Sequence, residues 1–372
     1  MPYESFPTSI STMLCVVKRA CAAAVKNRVG FGSTNKPEER YNLIDSAIKK
    51  SIPSCFVDTF TVSTDIVTDA ILSTIHSKRY IDFLKLAHPS LVRFKDAAWT
   101  AEDGALVPNH VTRIIPPEFV SMHRQSGYFC GDTMTPIYED TFSSALVSAK
   151  QASMAAFYAC YRLGKSTTSY YRAAYAMVDS PGHHAKYDQA NGYCFFNNAV
   201  IAAEQMKACL GEGSRVAILD LDFHAGNGTA EIVSNSKLGF TNLMAVSIHT
   251  NPAYDYPSFE GFESENTDKV LNIVLPAGAD YYAYEIALQR ALHAIVNFKA
   301  DGLVIAFGGD TFKDDPDAIA KFSLELDDYQ KMSASIVEAL GPIPIVITQE
   351  GGYNMDHIGT IVTNFLSGFI PL

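Results

Sequence analysis

Residues 218–229 read ILDLDFHAGNGT, an apolar run that ends with Asp220, Asp222 and His224 at alternate positions. In an extended chain successive side chains point to opposite sides, so these three ionisable groups face one way. Such a set suits a divalent cation, with Asp222 and His224 as ligands and Asp220 as a supporting carboxylate. Taken alone, the residues equally suit a Mg²⁺–phosphate site or a solvated acidic loop. A second run, GLVIAFGGDTFKDDP, carries Asp310 three positions beyond Phe307 on a loop softened by glycine. An Asp–His–Asp set leaves one position of a tetrahedral ion open, the pattern of a catalytic and not a structural zinc. Its two carboxylates make the centre hard, so Fe²⁺ is compatible with it too.

Two further strand ends bring acid–base groups. AAYAMVDS leads into PGHHAKYDQANGYCFFNN, with His183 and His184 in tandem. One histidine is usually a satisfied structural group; two beside a candidate cation are harder to explain that way. Imidazole acts as base or acid near neutral pH according to its partner. Asp220 is a natural partner for one of them and would raise its basicity, while Asn227 is a neutral partner for the other. Unlike partners separate the pKa values and hence the acid and base roles. TQEGGYNMDH then places Tyr353 after Gly351 and Gly352, on an expected mobile turn from which a phenol can donate to a developing oxyanion. Gly226 and Gly228 are expected to permit a tight turn, with Thr229 capping the helix that follows.

The elements needed to hold these groups recur through the second half of the chain. Short apolar runs at 173–178, 215–221, 242–249, 269–276, 302–307 and 343–350 read as strands. Helical patterns cover 197–210, 282–298 and 327–340. This alternation predicts an α/β fold, a mostly parallel sheet with helices on both faces and ligands at the carboxyl ends of the strands. Residues 1–140 read as helices and long loops that form the rim of a single domain spanning 1–372, with the core sheet and catalytic loops in 141–372. The first 30 residues read as a helix packed on that domain. Being basic and poor in acids they also fit a transit peptide, whereas Lys18 and Arg19 interrupt the apolar patch of a secretory signal.

Composition narrows the partners. With 48% hydrophobic and 19% charged residues, an ordinary globular core is expected. No apolar run approaches the ~18 residues of a membrane span. The net charge of -11 has the wrong sign for nucleic-acid backbones and suits a cationic or neutral substrate. Seven scattered cysteines without a C-x-x-C pair read as reduced thiols, which points to the cytoplasm.

PGHHA, GYCFFNNAVIAA, ILDLDFHAGNGT, SIHTNP, FGGDTFKDDP and EGGY follow one another in the order and spacing of the arginase-fold deacetylases. The chain resembles that family, which contains histone deacetylases and acetylpolyamine amidohydrolases, over roughly residues 120–370. GYFCGDTMTPI and the run at Asp310 look closer to the acetylpolyamine amidohydrolase and class II branch. The resemblance implies zinc bound by Asp222, His224 and Asp310, His183 and His184 as general base and acid, and Tyr353 polarising the carbonyl. It implies Asp220 and Asn227 as the partners of the histidines. It implies a substrate tunnel lined by Gly192, Tyr193, Tyr256, Phe259 and Gly352. A structural K⁺ would sit among Asp220, Asp222, His224, Ser247 and Ile248, largely on backbone carbonyls.

Three departures stand out: Asp179-Ser180-Pro181 where relatives have Arg-Pro-Pro, Ala225 in place of a second histidine, and Met134 and His123 near positions where polyamine-recognising acids are expected. None touches the metal set, so an active enzyme is implied. Its reaction would be removal of acetyl groups from N-acetylated amines, with acetyl-lysine in proteins or peptides first and acetylpolyamine or another small acylated amine as the alternative. A two-metal ureohydrolase would need more aspartates than the one between Ala306 and Asp310. A non-catalytic partner-binding scaffold is the remaining reading, and such folds also permit homo-oligomers.

Overall fold

The structure, a computed structural model, describes residues 14–19, 36–52, 56–60, 69–160, 173–211 and 213–370. Its strands are β1 (Leu14–Arg19), β2 (Phe56–Phe60), β3 (Ala173–Ala176), β4 (Val216–Asp220), β5 (Leu243–Thr250), β6 (Val270–Leu275), β7 (Gly302–Phe307) and β8 (Ile345–Gln349). They form one sheet in the order β2-β1-β3-β8-β7-β4-β5-β6, and every pairing is parallel. The helices are α1 (Pro37–Ser51), α2 (Asp69–Ile75), α3 (Lys78–Phe94), α4 (Ser126–Phe129), α5 (Thr141–Cys160), α6 (Asn198–Leu210), α7 (Asn227–Ser234), α8 (Tyr281–Phe298), α9 (Asp328–Leu340) and α10 (Ile358–Ser367). The expected α/β fold is therefore present, in its wholly parallel form.

Period-two alternation explains why both faces are covered. Ala174, Ala176, Val216, Ile218, Val304 and Val346 point into one core, which α3, α5 and α6 close. Their strand neighbours Tyr175, Ala217, Leu219, Leu303, Ile305 and Ile347 point into the other, closed by α1, α8, α9 and α10. A parallel strand buried on both sides has no polar face to show, hence its continuous apolar sequence. Each fully buried Val, Leu or Ile contributes roughly 1.5–3 kcal/mol. Helix starts are chemically marked: Asn197 accepts from Val200 N at 3.0 Å before α6, and Asp280 from Ala283 N at 3.0 Å before α8.

The N-terminal third differs from its sequence reading. Leu14–Arg19 is not helical but is β1, an inner strand between β2 and β3. Leu14, Cys15, Val16 and Val17 are all buried, two toward each core, which suits a strand and not a one-sided helix. The described residues before 140 thus supply two strands of the sheet as well as helices. The rest of the segment read as a leader or first helix lies outside the described residues. Cys130, Cys160, Cys194 and Cys209 are free thiols. Among the described residues no helix is long and apolar enough to cross a membrane.

Sheet order is what assembles the site. In register, Ala176 pairs with Thr348, Phe307 with Gln349, and Asp220 with Ala306. The carboxyl ends of β3, β8, β7 and β4 therefore lie side by side, although their order in the chain is β3, β4, β7, β8.

Candidate metal centre and catalytic cleft

Asp222 and His224 follow β4, and Asp310 follows the neighbouring β7. One ligand atom from each lies within 4.8 Å of the others, and all three residues are buried. Backbone amides aim the carboxylates: His224 N donates to Asp222 Oδ1 at 2.9 Å, Gly351 N to Asp222 Oδ2 at 2.8 Å and Phe223 N to Asp310 Oδ1 at 3.0 Å. Asp310 Oδ2 is buried, accepts no well-aligned hydrogen bond and faces only His224 Nδ1 at 3.3 Å. That nitrogen is itself a candidate ligand, so two groups of the set point at one another where an ion would stand between them. Glycine keeps the space open, since a Cβ on Gly308 or Gly351 would run into both carboxylates. Burial and the adjacent Asp222 push the Asp310 carboxyl up to about 8. Burial works against a charged His224, yet Asp222 and Asp310 outweigh it and push the imidazole well above its usual range. Without a cation the set therefore retains protons; a divalent ion on two carboxylates and an imidazole removes that need. The residues fit the metal.

The tandem histidines take the two partners expected of them. His183 Nδ1 donates to Asp220 Oδ2 at 3.0 Å, and His184 Nδ1 meets Asn227 Oδ1 at 2.7 Å. Burial disfavours a charged His183, but Asp222 and Asp220 overcome it and push the ring up to about 10. For His184, burial together with the nearby His183 and His224 holds the pKa well below normal. Thr229 does not cap α7; its amide donates to His183 O at 3.0 Å, tying the helix to the histidine loop. Gly228 serves close approach, since a Cβ there would strike the His184 backbone.

A cleft of about 640 Å³ opens over this centre, within the usual range for small-molecule sites. Gly192, Tyr193, Tyr256 and Tyr353 line it together with the metal set and both histidines. Phe259 does not: it is 89% exposed and faces a separate depression beyond Tyr256. Gly352 does not line the cleft either, because it packs against Gly309 and Ile358, where a side chain has no room. Met134 lines the cleft, while His123 is buried elsewhere against Ser90 and Asp96. Asp220 and Ser247, two of the K⁺ candidates, are cross-strand partners of β4 and β5, with Asp222 and His224 just beyond, and the Ile248 side chain enters the core.

Several residues at the site escaped the sequence reading. Asp315 accepts from Tyr353 N at 2.7 Å and Asn354 N at 3.0 Å, so the turn is pinned and not mobile. Glu350 accepts from Gly182 N at 2.6 Å and His183 N at 3.1 Å, and burial pushes its carboxyl up to about 7. Buried Arg40, from α1, donates to Glu350 O and Asp179 O and stands 5.7 Å from the Tyr353 ring centre. The usable signal was charge in apolar context, as in TQE at the end of a buried strand; Arg40 gave none. Replacing Asp315 with Ala leaves the amides of Tyr353, Asn354 and Asp317 without that acceptor and is expected to cost about 2–4 kcal/mol. A lowered urea midpoint with unchanged slope would register the loss, and an unchanged midpoint would mean that another group holds the turn.

Residues 34–369 match the family described as the histone deacetylase domain. The chain is 36% identical over 310 residues to acetylpolyamine amidohydrolase 1 of Pseudomonas aeruginosa, covering 80% of this chain and 82% of that one. It is 34% identical over 304 residues to acetylpolyamine amidohydrolase 2 of the same organism, covering 79% and 81%. Among solved structures, acetylpolyamine aminohydrolase from Burkholderia pseudomallei superposes with a TM-score of 0.79 at 26% identity, covering 95% of this chain and 98% of that one.

Proposed function

Because this chain belongs to the histone deacetylase domain family and is a deacetylase, we propose that it removes acetyl groups from small cationic amines of the acetylpolyamine class. Acetyl-lysine in proteins, the first expectation from the motifs, becomes the second. The observation that carries this order is the cleft wall. Asp317 and Asp255 line it beside Tyr193, Tyr254 and Tyr256, a setting that favours an ammonium through charge and ring faces. Asp317, half-buried in that wall with its charge felt by the Tyr193 and Tyr353 phenols, is the group we assign to the substrate cation. The names of the relatives and the net charge of -11 support the same class.

Asp222, His224 and Asp310 would hold zinc, which supplies a Lewis acid for the amide carbonyl and lowers the pKa of water toward ~7. His184, neutral beside the Asn227 amide, takes the proton of the attacking water. His183, kept charged by Asp220, gives a proton to the leaving nitrogen as the C–N bond breaks, and acetate and amine result. Tyr353 donates to the carbonyl oxygen, and burial, which pushes the phenol well above its usual range, keeps its proton in place. A structural K⁺ on the backbone around Asp220, Asp222, His224, Ser247 and Ile248 belongs to the same proposal.

The test is a comparison of kcat/KM for acetylputrescine, acetylspermidine and acetyl-lysine peptides. The polyamines should lead, and faster turnover of the peptides would overturn the substrate order. Asp317→Asn should raise KM for acetylputrescine about tenfold and leave an uncharged N-acetyl alkylamine within about twofold. Equal shifts for both substrates would remove Asp317 from cation recognition.

A further inference from the structure

The Asn227 amide is held at both ends. Its Oδ1 lies 2.7 Å from His184 Nδ1, while its Nδ2 donates to Glu260 Oε2 at 2.8 Å. The other oxygen of Glu260 accepts from Lys186 Nζ at 2.5 Å, and Lys186 sits two residues beyond His184 on the same loop. Burial opposes charge on Glu260, yet the hydrogen bonds from Lys186 and Asn227 overcome it and hold the carboxyl below its usual range. Glu260 is thus an ionised group that accepts and cannot donate.

An asparagine side chain has one accepting and one donating end of nearly equal shape. If the oxygen faces His184, Nδ1 must carry the ring proton and Nε2 keeps its lone pair. If the NH₂ faces His184, the tautomer reverses and Nε2 carries the proton. A carboxylate takes only the NH₂ end, so Glu260 turns the oxygen of Asn227 toward the imidazole. His184 lines the cleft, and with Nδ1 committed to Asn227 its free nitrogen is Nε2. A side-chain amide does not pass protons along, so Glu260 acts by orientation and not by relay.

We propose that Glu260 is a positioning residue that, through Asn227, fixes the His184 tautomer presenting Nε2 as the base. The proposal rests on the role assigned to His184 in the reaction above. In the full-length, zinc-loaded protein with acetylputrescine, Glu260→Gln is expected to lower kcat about tenfold with KM within about twofold, because glutamine can accept or donate and selects neither end. Asn227→Asp removes the choice, since a carboxylate can only accept from His184, but it sets two carboxylates face to face. Adding Glu260→Gln to Asn227→Asp should therefore raise kcat above that of Asn227→Asp alone. A residue that merely braces the loop would cost activity in both backgrounds. NMR of isotope-labelled histidine in the metal-free protein should show His184 protonated at Nδ1 in the wild type and a tautomer mixture in Glu260→Gln. Unchanged kcat in Glu260→Gln, losses in both backgrounds or an unaltered tautomer each overturn the proposal. A wild type that turns over no acetylated amine overturns the reaction instead, and the tautomer measurement still decides the role of Glu260.

Discussion

Asp310→Asn is expected to lower deacetylation by roughly 10³- to 10⁴-fold and to reduce bound zinc well below one per chain. A metal's stabilisation of the transition state is worth several kcal/mol, and each 1.36 kcal/mol is a factor of ten. Asparagine keeps the shape of the side chain and the oxygen that accepts from Phe223 N, so the loop retains its local bond. What it removes is the buried Oδ2, which accepts no backbone amide and faces only the His224 ring, 3.3 Å away. The amide nitrogen in its place cannot bind a cation. Metal content by elemental analysis, far-ultraviolet circular dichroism and turnover should be measured on one preparation. A folded variant that keeps its zinc and its rate would end the assignment of Asp310 as a ligand.

Tyr353→Phe should reduce kcat by about 10²- to 10³-fold, the size found when one oxyanion donor is lost. The ring stays: it stands 6.4 Å from Tyr193 and 5.7 Å from the Arg40 guanidinium, and neither contact uses the hydroxyl. Zinc content and the unfolding midpoint should therefore match the wild type, which sets this variant apart from Asp310→Asn. His184→Ala is expected to fall in the same class, losing about 10²- to 10⁴-fold as a general base does, with the metal retained. Wild-type turnover in either variant would refute its role.

Much of this site was legible locally. Asp220, Asp222 and His224 alternate along a strand end, and period-two geometry alone puts them on one side. The apolar runs at 173–178, 215–221 and 302–307 became β3, β4 and β7 within two residues at each end, because strands buried on both faces must be continuously apolar. Tandem His183 and His184 were visible as chemistry, and Asp220 and Asn227 as partners differing in charge. Leu14–Arg19 is a strand where the sequence suggested a helix, because six residues without a polar face carry no periodicity from which to tell the two apart.

Only the tertiary structure decided which strand ends are neighbours. The sequence orders them β3, β4, β7, β8; the sheet orders them β3-β8-β7-β4, and that permutation brings Asp310 to Asp222 and Tyr353 to both. The same holds for Arg40, Asp315 and Glu260, whose partners Glu350, Tyr353 and Asn227 lie 310, 38 and 33 residues away along the chain. Side-chain direction along a strand follows from bond geometry within a few residues, so it can be read from the chain itself. Adjacency of strands depends on how helices across both faces close two separate cores, and no stretch of residues contains that information alone.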